Sequence, residues 1–223
     1  MTETEYIQHW NYFCSLTERL EETKNYVYHG LDEKRDDLHK LVHADVYSDN
    51  FKQILLLAAA EFEIISKALC VELGGVAKNI VEISKIILEK FPQMGKTEVM
   101  TVYFTFMPLS EWEYTSEDDK KVKGLAWWGA YNSLKHNEKN SYAIATLENA
   151  ISSLGSLYVL NLYLMYAIFK NLSIAYLYPP AYFRSKYTSS PMLTRDGLLP
   201  DFGNKSPYER TNEIFPGMFK KNE

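Results

Sequence analysis

A run of 21 uncharged residues, from position 149 to position 169, limits the folds open to this chain more than any other feature. A run of that length is either a membrane-spanning helix or a helix buried at the centre of a bundle. It also contains five smaller polar residues, at Asn149, Ser152, Ser153, Ser156 and Asn161. Polar groups are costly in a hydrocarbon layer. We therefore expect a buried helix and no membrane anchor; a membrane-tethered protein is the less favoured interpretation.

Several other segments have the apolar spacing of helices. Residues 5 to 28 carry one apolar face, and residues 50 to 73 are apolar nearly all round and end at Gly74-Gly75. We also predict helices over residues 32 to 45, 76 to 91, 124 to 138 and 142 to 178, the last with breaks near Gly155 or Asn171. Residues 50 to 73 should lie in the centre of the fold, because they have no polar face to present to water.

Near residue 98 the spacing of apolar residues stops being that of a helix. Residues 99 to 106 are β-branched and aromatic, which predicts a short strand, and residues 111 to 115 are its expected partner. Residues 116 to 123 are charged and predict a loop. The fold class is therefore mainly all-α: an up-and-down helical bundle with a small β insertion at about residues 98 to 115.

The composition changes again after Tyr178. Six of the eight prolines lie in residues 179 to 223, which excludes regular helix or sheet there. The same stretch holds seven aromatic residues, more than a solvated disordered tail usually has. We predict a helical domain over residues 1 to 178 and an irregular C-terminal arm over residues 179 to 223. The arm is expected to dock either on its own subunit or on a neighbouring one.

Charge and cysteine content narrow the function classes. The net charge of −5 excludes a strongly basic coat for nucleic acid, although a local basic patch would suffice for RNA. Cys14 and Cys70 are far apart and form neither a disulfide framework nor a zinc-ligand pattern. The acidic N-terminus is unlike a secretory signal, so we expect a cytoplasmic protein.

One helix combines side chains that can act on a phosphate ester. Trp128, Asn132 and His136 are spaced by four, so they share one helix face. Tyr131 and Lys135 form the adjacent row. A carboxylate from the central helix, Glu61 or Glu63, could orient the imidazole and raise its pKa.

This segment, Tyr131-Asn132-Ser133-Leu134-Lys135-His136, resembles the motif of the HEPN superfamily, with tyrosine in the position of the motif arginine. Residues 58 to 67 resemble the second core helix of such proteins, and the likeness covers roughly residues 5 to 170. HEPN proteins are helical bundles, and many cut RNA without a metal. Their sites commonly form where two subunits bring their motifs together.

The resemblance implies an RNA-directed protein, a metal-independent ribonuclease of a toxin or anti-phage defence system, with no cofactor. His136 would act as acid or base, Asn132 matches the motif asparagine, Tyr131 could donate one hydrogen bond, and Lys135 would replace the arginine charge. Trp128 and either glutamate would support the site. The alternative is a non-catalytic interaction module that binds RNA or a nucleotide. It would act as a dimer and contact partners through a bundle face or the arm.

A purely structural role fits the same residues: His136 could simply end the helix, and Trp127 and Trp128 could fill the core.

Two other patterns in the sequence are weaker indications of a binding site. His39 and His43 have zinc-binding spacing, with Asp36 and Asp45 near, but a solvated face explains them better. Gly95-Lys96-Thr97 resembles the end of a phosphate loop, but its first glycine is missing. Three lysines just before this helix could steer RNA if the helix binds phosphate: Lys120, Lys121 and Lys123.

Overall fold

The computed structural model describes residues 1–32, 41–92, 94–114, 122–123, 125–136, 139, 141–169 and 180–183. Within them, five α-helices make up most of the fold: α1 (Glu3–Glu22), α2 (Asp49–Glu72), α3 (Ile80–Lys90), α4 (Ala126–Lys135) and α5 (Leu147–Phe169). Short 3-10 turns cover Thr23–Asn25, Met94–Lys96 and Ser141–Ile144. The strands are β1 (Val99–Met100), β2 (Thr105–Phe106), β3 (Glu113–Tyr114) and β4 (Val122–Lys123). The predicted mainly α-helical fold with a small β insertion is confirmed.

Helix α5 occupies the centre of the bundle and packs mainly against α2. It is the single helix in the described part of the chain that is long and apolar enough to cross a membrane. However, 83% of its apolar window is buried inside the fold, as in the core helix of a soluble protein. The expected break at Gly155 is absent, and Asn171 lies outside the described residues.

Gly155 instead allows the β insertion to approach the core. A Cβ atom at this position would lie 2.7 Å from Cζ of Phe106 and 3.3 Å from Cβ of Pro108. The hairpin that contains Phe106 therefore rests directly on α5, at a position where any larger side chain would collide with it.

The helix directions follow from contacts between helix ends. The terminal ammonium of Met1 pairs with Glu72 at 3.2 Å, so α1 runs antiparallel to α2. Tyr6 donates a hydrogen bond to the carbonyl of Asn161, and Trp10 contacts Tyr158, which makes α1 antiparallel to α5 as well. Helices α2 and α5 begin side by side, where residues 47 and 146 form an antiparallel bridge.

Local sequence sets the helix ends. Thr2 and Glu5 form a capping box at the start of α1, and Ser48 accepts the amide of Phe51 at the start of α2. Gly74, with φ of +83°, ends α2 in the left-handed conformation, and the amide of Gly75 satisfies the carbonyl of Cys70. The predicted boundaries of α2 are thus correct to within one residue.

The predicted strand pairing is wrong. Residues 99 to 106 fold back on themselves, so that β1 pairs with β2, while β3 pairs with β4 rather than with β1. The hydroxyl of Thr101 accepts the amides of Tyr103 and Phe104, and this local turn reverses the chain. The expected loop over residues 116 to 123 therefore supplies one strand, β4.

The predicted helix over residues 32 to 45 is also wrong where it is described. Leu41 forms a β-bridge with Leu31, and residues 42 to 45 form a turn rather than a helix. The amide of Val42 bonds to the carbonyl of Gly30, which ties this turn to the end of the preceding segment. Residues 33 to 40 lie outside the described part of the chain.

The first residues of the C-terminal arm dock on their own subunit. The amide of Ala181 donates to the hydroxyl of Thr17 on α1, and Phe183 stacks on Tyr158 of α5. Tyr182 and Phe183 are both buried. The remainder of the arm, from residue 184, lies outside the described residues.

Tyr182 is held by the buried side chain of His29. The hydroxyl of Thr23 already donates to the carbonyl of Leu20, so it accepts a hydrogen bond from Nε2 of His29. Nδ1 is then the lone-pair nitrogen, and it accepts the hydroxyl of Tyr182 at 2.9 Å. Burial, assisted by the nearby charge of Lys24, lowers the pKa of His29 to about 4. The arm is therefore fixed by a neutral imidazole.

We expect this histidine to make folding stability depend on pH. In the unfolded chain the pKa of this histidine is 6.5. Between pH 6.5 and about 4 its imidazole is therefore protonated in the unfolded state and neutral in the folded state. Above pH 6.5 protonation of His29 does not reduce the free energy of unfolding. As the pH drops to about 4, that free energy falls by roughly 3 kcal/mol. Urea unfolding measured across this range should show the loss. His29→Gln should flatten the dependence, whereas His43→Gln, at an exposed position, should not. An unchanged profile for His29→Gln would contradict the assignment.

Candidate functional site

Helix α4, which carries the motif, is fastened to the bundle by its two tryptophans. The ring of Phe62 on α2 meets Trp127 edge-on at 4.9 Å between centroids and Trp128 at 6.0 Å. The indole nitrogen of Trp127 donates to the hydroxyl of Ser156 on α5 at 3.1 Å. A buried indole needs such a partner, so its position is defined by both packing and hydrogen bonding. The start of α4 is therefore fixed against the two central helices.

Tyr131, in the position of the motif arginine, belongs to this aromatic packing. Its side chain is buried, and its ring lies 5.1 Å from that of Trp128. The ammonium of Lys135, one turn later, lies 5.4 Å from the centre of the Tyr131 ring. Such a cation–π contact holds the ammonium near the helix surface. Tyr131 thus positions Lys135.

His136 is the C-terminal cap of α4 and is exposed. Its amide bonds to the carbonyl of Asn132 at 3.0 Å, while Asn132 itself is half-buried. Lys135 is exposed beside it. A cation at this end of a helix is stabilised by the helix dipole. The end of α4 thus presents an imidazole and an ammonium to solvent, with a carboxamide one turn below.

The two supporting glutamates are engaged elsewhere. Glu61 is buried, and its Oε1 lies 2.5 Å from Nδ1 of His9 on α1. Burial raises the pKa of the Glu61 carboxyl, and the hydrogen bond with His9 opposes that rise. Glu63 pairs with Lys67 on the same helix at 2.6 Å. Among the described residues, neither glutamate is hydrogen-bonded to His136.

Sequence reasoning did not identify His9. Its side chain is 29% exposed and its partner's only 5%, so a buried carboxylate orients a half-buried imidazole. The sequence offered one indication of a partly buried histidine: His9 borders the apolar face of α1 formed by Tyr6, Trp10 and Phe13. Spacing alone could not show that Glu61 faces α1 rather than α4.

The other residues considered as ligands or as RNA contacts are only partly described. His43 and Asp45 are exposed in the turn after Leu41, whereas Asp36 and His39 lie outside the described residues. In the segments that are described, no three histidine, cysteine or acidic side chains are grouped so as to hold a metal ion. Of the three lysines near α4, Lys123 ends β4, and Lys120 and Lys121 are not described.

Comparison with known proteins adds no relative to this picture: no family model, no curated protein and no solved structure matches the chain.

Proposed function

We propose that this protein acts on RNA as a HEPN-like, metal-independent endoribonuclease of a cytoplasmic toxin or anti-phage defence system. The observation that carries the proposal is the exposed end of α4, where His136 and Lys135 reach solvent next to each other. An imidazole supplies acid–base chemistry near neutral pH, and an ammonium attracts phosphate. The formal charge of −5 confines RNA contact to such a local patch.

The chemistry is an internal transfer within the RNA. The 2′-hydroxyl loses its proton to a neutral imidazole and attacks the adjacent phosphorus, while the bond from phosphorus to the 5′-oxygen breaks. The 5′-oxygen takes a proton from an acid, which leaves a 2′,3′-cyclic phosphate and a 5′-hydroxyl. Lys135 offsets the negative charge that develops on the phosphate, as a point charge without the two-pronged geometry of arginine.

A second copy of the chain completes the arrangement. The step needs a base on one side of the phosphorus and an acid on the other, whereas α4 offers one imidazole. Two α4 ends facing each other across a two-fold axis would supply both. We therefore propose a homodimer with its site shared between subunits.

The direct test is incubation of the pure protein with labelled single-stranded RNA in EDTA. We expect cleavage that survives the chelator and leaves 2′,3′-cyclic phosphate ends, identified by mass spectrometry. Light scattering on the same sample should give the mass of a dimer. Cleavage that requires an added divalent metal, or 3′-hydroxyl products, would contradict the proposal.

A second candidate is a non-catalytic dimer that binds RNA or a nucleotide. It is favoured by the burial of Tyr131, because the position that should hold the phosphate faces Trp128 instead. This candidate predicts RNA binding without cleavage, measured by fluorescence anisotropy. If the arm forms the partner contact, removal of residues 184 to 223 should convert the dimer to a monomer, while residues 180 to 183 keep their place on the subunit.

A further inference from the structure

A cavity of about 550 Å³ lies where α1 ends and α2 begins, and no residue of α4 lines it. Because the two helices are antiparallel, the last turn of α1 and the following 3-10 turn face the first turns of α2. The cavity is lined by Arg19, Glu22, Thr23, Asn25, Tyr26, Asn50, Gln53 and Ile54. Its size falls within the range of small-molecule sites.

The lining has unused capacity to bind a polar ligand. Among the described residues, the guanidinium of Arg19 has no carboxylate partner within 4.0 Å. The carboxamides of Asn25, Asn50 and Gln53 form no hydrogen bond with any described residue. One guanidinium and three carboxamides, each of which can both donate and accept hydrogen bonds, therefore line the same cavity.

An aromatic ring completes the set. Tyr26 follows the 3-10 turn, lines the cavity and is 82% exposed, which is unusual for so large a ring. A flat exposed ring beside a cavity offers a surface on which a nucleobase can stack.

We propose that this cavity binds a nucleoside monophosphate. The base stacks on Tyr26, carboxamides from α2 hydrogen-bond to the base edge, and Arg19 holds the phosphate. The carboxylate of Glu22, also in the lining, accepts hydrogen bonds from the ribose hydroxyls. The same carboxylate repels ligands of higher negative charge, so one phosphate is favoured over three.

The site is separate from the chemistry assigned to α4, since its lining comes from α1, the 3-10 turn and α2 alone. His136→Ala should therefore leave nucleotide affinity unchanged. RNA cleavage and nucleotide binding can therefore be tested separately, because either one can be absent while the other is present.

Isothermal titration with AMP, GMP, CMP and UMP tests the proposal on the full chain. At least one should bind, and Arg19→Ala should weaken it about tenfold or more, since a charge-assisted bond is lost. Lys78→Ala is the matched control: it removes one exposed cation outside the cavity lining and should change nothing. Absence of binding at millimolar nucleotide, or equal affinity in the Arg19→Ala protein, would overturn the site.

The ligand class is tested with ribose 5-phosphate and inorganic phosphate. Both should bind at least about tenfold more weakly than the nucleotide, and Tyr26→Ala should remove most of that difference, because stacking is lost. If inorganic phosphate binds as tightly as the nucleotide, no base is recognised and the proposal fails. Arg19 and Tyr26 are exposed, so circular dichroism should show both variants folded.

Discussion

The His136→Ala substitution is expected to lower the rate of RNA cleavage by about 10²–10⁴-fold, the usual contribution of a positioned acid or base. The side chain is exposed at the end of α4, so its removal should leave the fold intact. Single-turnover cleavage of labelled RNA in EDTA measures the loss, and thermal unfolding of the same preparation verifies the fold. A rate within a few-fold of the original protein would remove this imidazole from the mechanism.

Two further variants separate chemistry from charge. His43→Ala removes another exposed imidazole, in the turn after Leu41, and should cleave at the original rate. Lys135→Ala should lose about tenfold or more through weaker phosphate contact, and Lys135→Arg should recover most of it. If the arginine variant is as impaired as the alanine variant, the ammonium over Tyr131 acts through packing and not through charge.

The Phe62→Ala substitution is expected to cost about 3–5 kcal/mol of unfolding free energy, the range for removing a large buried ring. Phe62 is fully buried and contacts the rings of three tryptophans: Trp112, Trp127 and Trp128. Its loss leaves a cavity between α2 and α4. Urea denaturation followed by circular dichroism measures the change as a lower midpoint with a similar slope.

Ile64→Ala is the matched control, because it shortens another apolar side chain of α2 that is 46% exposed. We expect a change below about 1 kcal/mol. A comparably small loss for Phe62→Ala would show that the aromatic cluster does not fasten α4. At temperatures where both variants stay folded, Phe62→Ala should also reduce RNA cleavage, since the position of α4 depends on this ring.

The long helices were predictable because burial dictates their sequence. Helix α5 is buried along most of its length and apolar nearly all round, α2 buries one broad apolar face, and caps such as Ser48 and Gly74 are local. The strand pairs were not predictable, since pairing depends on which segments meet after the chain turns. The turn at Thr101 is stabilised by hydrogen bonds to its side chain, and the spacing of apolar residues does not reveal such bonds.

For the candidate site, spacing correctly placed the motif on one helix, but it could not orient that helix in the fold. The row formed by Trp128, Asn132 and His136 runs from the half-buried interior to the exposed end of α4. The partner of Glu61 depended on the rotation of α2 about its axis. That rotation places Glu61 toward His9 and Phe62 toward the tryptophans. Because apolar residues cover most of the circumference of α2, the sequence does not reveal a rotation of one residue.

The side-by-side start of α2 and α5 has a consequence for biosynthesis. The bridge between Tyr47 and Thr146 joins positions about a hundred residues apart in the chain, so the central helix pair closes late. Until α5 has emerged from the ribosome, α2 lacks the helix against which it mainly packs, so we expect the nascent chain to expose apolar surface that favours aggregation.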